Sequence, residues 1–137
     1  MKVSAFIISC SLFMMSFLSF SSIAQVASDP LTKCYELTSQ APRTEIQTCL
    51  LDELKLSERQ MNLIYEKSKS DLEDIDSVAV KSAIEALVSS QEHFIKFRSA
   101  ECQRQSSLVM GGTGAGDVLL ACEVKLNQWR AKALLDN

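Results

Sequence analysis

The sequence has 137 residues, of which 47% are hydrophobic and 23% are charged, a composition typical of one globular domain. Fourteen Lys and Arg against seventeen Asp and Glu give a formal net charge of -3, which disfavours a nucleic-acid partner because such binding needs a basic surface. A single histidine excludes a multi-histidine metal site, and four glycines with two prolines provide too few turns for a many-stranded sheet. We therefore expect a small all-α protein, with no metal and no cofactor.

Residues 1–24 have the features of a cleaved signal peptide. Lys2 gives the segment a positive start, and residues 3–20 contain no charge. Ser22-Ile23-Ala24 places small residues at the two positions that signal peptidase reads, so Gln25 is the predicted first residue of the mature protein. Cleavage removes one basic residue and no acid, which leaves the mature chain with a charge of -4.

Two alternatives to cleavage stay open. The apolar run approaches the ~18 residues that a membrane span requires, so it would also suit a retained anchor. Residues 7–10 loosely fit a bacterial lipobox, which would place a lipid on Cys10. We favour cleavage, which predicts a single domain over 25–137 that is exported to the bacterial periplasm or secreted, with no membrane contact after the leader is removed.

Four cysteines remain in the mature chain, Cys34, Cys49, Cys102 and Cys122. In an exported chain they favour two disulfides over a zinc site, because the compartment is oxidising and the sequence has no C-x-x-C pair. Local pairing of the first two and of the last two cysteines is the favoured connectivity. Each such loop is worth about 3 kcal/mol in the chain-entropy model, but the sequence does not decide among the three possible pairings.

Breakers divide the mature chain into three or four helical segments. A short first helix is predicted at Asp29-Pro30, with Asp as the cap and Pro in the first turn. After Pro42, a long helix is predicted to open at Thr44, with Gln47 as its capping-box partner. Its apolar or small positions recur in steps of three and four, at Ile46, Leu50, Leu54, Ser57, Met61, Ile64, Ser68, Leu72 and Ile75.

An acidic turn follows, formed by Asp71, Glu73, Asp74, Asp76 and Ser77. The next helix is predicted to direct a stripe from Val80 through Phe94 and Phe97 to Cys102 toward the core. Residues 111–116 hold all four glycines and are predicted to form a loop. A last helix is then predicted to begin at Asp117, with core positions Val118, Leu119, Cys122, Leu126, Trp129 and Leu134.

The second and third segments predict an antiparallel hairpin. If the chain reverses near Asp76, Cys49 lies 27 residues before the reversal and Cys102 lies 26 residues after it. Two helices of about 40 Å would then bring both cysteines to the same end, which keeps a Cys49–Cys102 disulfide open as the main rival connectivity. One end of the rod is expected to be cross-linked and the acidic turn to lie free at the other.

Two ordered blocks of sequence resemble the lysozyme inhibitor LprI-like family. Residues 49–54, followed by Asn62 and Tyr65, are similar to its C-L-x-x-E-L…N-x-x-Y opening. Gln91 and residues 94–102 are similar to its Q-x-x-W-x-x-[YF]-R-x-x-x-C segment, with Phe in place of the usual Trp. Gly111-Gly112, Cys122 and Arg130 follow in the family's order, so the resemblance spans about 34–134. It implies an exported helical domain, and it suggests inhibition of lysozyme.

Five polar residues lie on or beside the predicted buried stripes, namely Glu53, Asn62, Tyr65, Gln91 and Arg98. Buried polar groups usually hydrogen-bond to one another across helices, so we interpret this set as a structural network. Direct contact with a ligand is the alternative interpretation.

No catalytic residue is predicted. Asp52 and Glu53 are adjacent on a helix and point about 100° apart, so they cannot flank one glycosidic bond. His93 has no nucleophile that can be placed beside it and is predicted to lie on the surface. Trp129 has helical spacing and is predicted to be a core residue rather than a binding anchor.

The glycine run is the candidate binding loop, with Gly111, Gly112, Thr113 and Gly114 as its residues. It is either a flexible connection or a segment that enters the cleft of a partner. The first function to consider is an interaction module that inhibits lysozyme or another peptidoglycan-lytic enzyme, toward whose basic surface a charge of -4 would steer it. The alternative is a structural or adaptor protein of the cell envelope with no enzyme target. A charged or aromatic side chain at the loop tip would favour the inhibitor, and Thr113 is the only polar residue there.

Overall fold

The structure is a computed structural model, and it describes residues 29–39, 42–112 and 114–136. Its helices are α1 (Pro30–Leu37), α2 (Arg43–Glu73), α3 (Val80–Ser107) and α4 (Ala115–Leu135). No strand occurs in these three ranges, which confirms the predicted all-α fold. The predicted signal peptide at 1–24, including Cys10, lies outside the described residues, as does the predicted mature start at Gln25.

The fold is an antiparallel hairpin of α2 and α3 with α4 packed between its two arms. Two contacts show that α4 runs parallel to α2. Asp117 pairs with Arg43 near the start of both helices, and Asn127 bonds to Ser57 about three turns further on. It touches both α2 and α3 more extensively than these two touch each other. The predicted hairpin is therefore present, and the last helix joins its arms.

Local sequence signals explain where the helices begin, with two corrections. The Asp29 carboxylate accepts hydrogen bonds from the backbone amides of Leu31 and Thr32 at 3.0 and 3.1 Å, which confirms the predicted cap of α1. The predicted capping box at Thr44 is wrong. Pro42 takes the cap position with φ -57°, so α2 begins one residue earlier and has no side-chain cap. Helix α4 also begins two residues before the predicted Asp117.

Two disulfides cross-link the end of the bundle opposite the acidic turn. Cys34 is bonded to Cys49 and Cys102 to Cys122, with Cα–Cα distances of 5.8 and 5.4 Å. The favoured local pairing is thus confirmed, and the rival Cys49–Cys102 bond is wrong because α1 folds back on α2 and supplies Cys34. The first disulfide ties α1 to α2, and the second ties α3 to α4.

The core consists of two apolar clusters with a polar layer between them. Near the cross-links, Cys34, Ile46, Leu50 and Ala121 are buried together. Further along, Met61, Phe94 and Ala131 form a second buried cluster, one residue from each long helix. Ser57 and Asn127 are buried between these clusters. None of the described helices is long and apolar enough to cross a membrane.

Candidate functional site

The loop from Leu108 to Gly114 presents a hydrophobic side chain at its tip. Met110 is 93% exposed and has a φ of +51°, in the left-handed region that non-glycine residues seldom occupy. Gly111 follows with a φ of +76°, and the two residues together reverse the chain. Leu108 is also exposed. A charged or aromatic residue at this tip was expected to mark an inhibitor, whereas the exposed side chain there is the apolar Met110.

The predicted loop residues differ in exposure. Gly111 and Gly112 are exposed, whereas Gly114 lies partly buried near Arg43 and Val109. A Cβ atom at Gly112 would lie 3.2 Å from the carbonyl oxygen of Val109, so a larger residue there would push against the backbone. Thr113 lies outside the described residues. The loop therefore packs closely on itself between Gly112 and Val109, and it is exposed to solvent at Met110.

Three interactions fix the base of the loop. The buried Ser106 hydroxyl donates a hydrogen bond of 2.8 Å to the carbonyl oxygen of Ala115, directly across the loop. Cys102–Cys122 joins the same two helices further down. A segment whose ends are fixed in this way loses little conformational entropy when it binds a partner.

The third interaction is an ion pair between α2 and α4. Asp117 is 1% exposed and its Oδ2 accepts a 2.8 Å hydrogen bond from Nη2 of Arg43, 74 residues away in sequence. Asp117 lies in the first turn of α4, where the positive end of the helix dipole favours a carboxylate. Its Oδ1 has no hydrogen-bond partner in the part of the chain that the structure describes. From the sequence, Asp117 was predicted only as a helix start, because no local spacing links it to Arg43.

The predicted polar set is distributed over separate contacts rather than joined in one network. Glu53 accepts a 2.7 Å hydrogen bond from Lys33 of α1. Gln91 is buried, and its Oε1 accepts a 2.9 Å hydrogen bond from Nε of Arg130. Asn62 is exposed on α2, and Tyr65 is half-buried. Glu53 and Gln91 therefore bond across helices, each with a partner outside the predicted set.

Arg98 makes the most buried of these contacts. Its side chain is 12% exposed, and its Nη1 donates hydrogen bonds to Oδ1 of Asn127 at 2.6 Å and to Oε1 of Glu58 at 3.2 Å. Asn127 is 0% exposed and donates in turn to the Ser57 hydroxyl at 3.1 Å. Ser57 donates to the carbonyl oxygen of Leu54. This chain of donors connects all three long helices between the two apolar clusters.

Two aromatic residues that were predicted to be buried lie on the surface. Trp129 is 58% exposed and Phe97 is 53% exposed. Phe94 is buried, with its ring centroid 6.1 Å from that of Trp129. The Arg130 guanidinium lies 5.6 Å from the centre of the Phe94 ring, and burial lowers the pKa of this arginine despite the proximity of Tyr65. We call Phe94, Phe97, Trp129 and Arg130 the aromatic face.

The burial pattern of α4 explains the error at Trp129. In the second half of α4 the buried positions are Val124, Asn127, Ala131 and Leu134, in steps of three and four. Trp129 lies between two of these positions and points away from the stripe. Because that stripe contains one amide and one small side chain, the larger apolar residues beside it gave a misleading pattern.

The residues considered for catalysis are Asp52 and Glu53 on α2 and His93 on α3, and each has different surroundings. Asp52 is exposed on α2, and Glu53 beside it is paired with Lys33. His93 is exposed, with its Nδ1 2.7 Å from the carbonyl oxygen of Ser89 one turn earlier. Within 29–39, 42–112 and 114–136, no group of three or more His, Cys, Asp and Glu side chains is arranged to hold a metal ion.

Comparison with known proteins identifies the family. The family model described as lysozyme inhibitor LprI matches residues 34–134, a range that begins at the first bonded cysteine and includes the loop and nearly all of α4. No curated protein and no solved structure matches the chain. The match covers most of the sequence and includes both disulfides, so the chain belongs to the lysozyme inhibitor LprI family.

Proposed function

We propose that the protein is an exported interaction module that binds and inhibits a peptidoglycan-lytic enzyme through the loop from Leu108 to Gly114. The observation that carries this proposal is the placement of Met110, an almost fully exposed apolar side chain at the tip of a loop with a fixed base. Family membership supplies the class of partner, since the family is described as lysozyme inhibitors. The activity requires no catalytic residue of its own.

The size of the expected effect follows from burial of Met110. Transfer of a methionine side chain from water into an apolar cleft contributes about 1.5–3 kcal/mol, which corresponds to a factor of roughly 10–150 in affinity. Gly111 and Gly112 have no side chains, so their backbone can come close to the walls of a cleft. Backbone amides at such a distance could hydrogen-bond the carboxylates of a lytic site.

The acidic residues at the other end of the bundle would act at long range. Asp71, Glu73 and Asp74 are exposed and lie at the end of α2, remote from the loop. Their charge would speed association with a basic enzyme without contacting it. Neutralising the three carboxylates should therefore lower the association rate and its salt dependence, and should leave the dissociation rate unchanged.

A turbidity assay of lysozyme activity on bacterial cell walls tests the proposal. Met110→Ser should raise the inhibition constant by roughly tenfold or more, because the serine cannot replace the buried apolar surface. Val78→Ser is the matched control, since Val78 is fully exposed in the turn at the opposite end. Equal inhibition by the two variants would exclude the loop. If the unsubstituted protein inhibits none of a panel of lysozymes, the inhibitor proposal itself is wrong.

The aromatic face favours a second candidate, an adaptor of the cell envelope without an enzyme target. Trp and Arg side chains are among the types that most often anchor protein interfaces, and Trp129 is exposed on this face beside the partly exposed Arg130. Under this alternative, Trp129→Ser would abolish capture of a specific envelope protein while Met110→Ser would not. Trp129 is the only tryptophan in the chain, so its fluorescence would report directly on contacts at this face. Loss of capture with Met110→Ser instead would return the assignment to the loop.

A further inference from the structure

An apolar groove lies at the free end of the bundle, remote from the loop. It has a volume of about 550 Å³, within the range of pockets that hold ligands. Its aliphatic lining comes from all three long helices and the turn after α2, through Ile64, Leu72, Ile75, Leu87, Leu134 and Leu135. Lys67 and Asp71 lie at its edge and form an ion pair of 2.7 Å with each other.

The groove exists because α4 is shorter than the hairpin that it fills. Helix α4 ends at Leu135, while α2 continues past Ile64 to Glu73 and α3 begins as far back as Val80. The arms of the hairpin therefore project about two turns beyond the third helix. Over this distance Leu72 and Leu87 lack the helix that covers the apolar stripes elsewhere. The open space has the position and direction of a continuation of α4, so its shape suits another helix.

The charge around the groove indicates which kind of helix it suits. Residues 66–85 contain six carboxylates and three lysines, a net charge of -3 that equals the formal charge of the whole chain. Each lysine is within 4.0 Å of a carboxylate one turn further along its helix. Among the described residues, Asp74 and Asp76 form no ion pair, and they flank Ile75 in the lining of the groove. Such a rim repels anionic ligands and attracts cationic ones.

From the shape and the charge together, we infer that this groove is a docking site for a cationic amphipathic helix. The apolar face of the bound helix lies on Leu72, Ile75 and Leu87, and its lysines or arginines lie beside the carboxylates at the rim. This is the helix-in-groove mode of recognition, in which apolar side chains one turn apart enter a hydrophobic groove. The site is separate from the loop and does not depend on inhibition of a lytic enzyme.

The test uses a labelled synthetic peptide of about 14 residues, with Leu and Lys spaced to form an amphipathic helix. Fluorescence anisotropy at ionic strength near 0.15 M should show saturable binding to the disulfide-bonded protein. Two control peptides separate the contribution of the apolar helix face from that of the positive charge. One has the same composition with Leu and Lys strictly alternating, which prevents an apolar helix face, and the other replaces Lys by Glu. Both should bind at least about tenfold more weakly than the helical cationic peptide.

A matched pair of variants locates the site. Ile75→Lys and Val78→Lys make the same change of charge three residues apart in the same turn, but only Ile75 lines the groove. Ile75→Lys should weaken peptide binding by about tenfold or more, and Val78→Lys by less than about threefold. Leu87→Lys, on the other wall, should behave like Ile75→Lys. Thermal unfolding followed by circular dichroism checks that each variant folds.

Several results would overturn the inference. Absence of saturable peptide binding would do so, as would equal weakening by Ile75→Lys and Val78→Lys, which would indicate general charge attraction. Equal binding of the Glu peptide would remove the role of the acidic rim. Binding of dodecanoate in the groove, without binding of the cationic peptide, would assign the site to acyl chains instead. Lysozyme inhibition is measured on the same variants, and Ile75→Lys and Val78→Lys should change it equally, because each adds one positive charge in the same turn, remote from the loop. A difference between the two in peptide binding but not in inhibition keeps the failure of one proposal distinguishable from failure of the other.

Discussion

Replacement of Arg98 by alanine should destabilise the protein because it leaves the buried Asn127 without its hydrogen-bond donor. In the folded protein, Oδ1 of the fully buried Asn127 accepts a 2.6 Å hydrogen bond from Arg98. Alanine provides no donor for this amide oxygen. A buried acceptor left without its partner costs about 1–3 kcal/mol, and hydrogen bonds to charged groups contribute about 1.5–3 kcal/mol.

These contributions overlap, so we expect Arg98→Ala to lower the free energy of unfolding by about 2–4 kcal/mol. The second bond of Arg98, to Glu58, adds little because the Glu58 side chain is 41% exposed and its charge is screened. For a domain of this size, the expected decrease in melting temperature is on the order of 10–20 °C. Urea unfolding followed by circular dichroism, with both disulfides intact, measures the free energy directly.

Arg104→Ala is the matched control on the same helix. Arg104 is exposed and pairs with Glu101 one turn away, so its removal should cost less than about 0.5 kcal/mol. A second test is the double variant Arg98→Ala/Asn127→Leu, which removes the stranded acceptor as well as the donor. Its cost should be less than the sum of the two single costs. If Arg98→Ala costs no more than Arg104→Ala, the polar layer does not stabilise the bundle in the way argued.

Three further predictions concern the cross-linked end, α3 and the free end. Arg43→Ala leaves the buried Asp117 carboxylate without its cation and should lower the free energy of unfolding in urea by about 2–3 kcal/mol. This is less than the cost for a fully buried pair, because Arg43 is partly exposed. A decrease under about 0.5 kcal/mol would contradict the prediction. Hydrogen bonds from Arg104 and Gln105 lower the pKa of Glu101 from its usual 4.5, so its contribution to stability, small because the pair is exposed, is present above pH 4.5 and is lost as the pH falls below that value. Carboxyl NMR should show a midpoint below 4.5, and Arg104→Ala should raise it; a midpoint at or above 4.5 in the unsubstituted protein would contradict the assignment. Backbone amides in 66–73 and 80–86 should exchange hydrogen faster than those in 46–61.

Local interactions made much of the fold predictable from the sequence. The Asp29 cap depends on residues within one turn of it, and the disulfides close loops of 15 and 20 residues, so both follow from short-range signals. The long helices follow from three-and-four spacing in the same way. The chain reversal near Asp76 also lies in the predicted place, between the end of α2 at Glu73 and the start of α3 at Val80.

Features that depend on contacts between distant segments were not predictable. Arg43 and Asp117 are 74 residues apart, and only the parallel packing of α2 and α4 brings them together. Periodicity shows that a helix has one buried stripe. Where polar residues occupy part of that stripe, periodicity does not identify which residues are buried. Asn127 is completely buried and Trp129 is mostly exposed, the reverse of their order on any hydrophobicity scale. The polar set was predicted to form hydrogen bonds within itself. The partners of Arg98 and Gln91 are instead Asn127 and Arg130 on α4, which local spacing could not identify.

Hydrogen exchange at the free end tests the step that connects the fold to the proposed groove. Between Ile46 and Met61, α2 is covered by α4, and we expect the amides there to open only when the three-helix core opens. Past Ile64 the third helix is missing, so residues 66–73 are held by one neighbouring helix and their hydrogen bonds can open locally at a lower free energy. Saturation with the cationic amphipathic peptide should slow exchange in 66–73 and 80–86, because the bound helix replaces the missing cover. It should leave the Leu108–Gly114 loop unchanged. Slower exchange in the loop, or equal protection along all of α2 before the peptide is added, would show that the free end is not an open site.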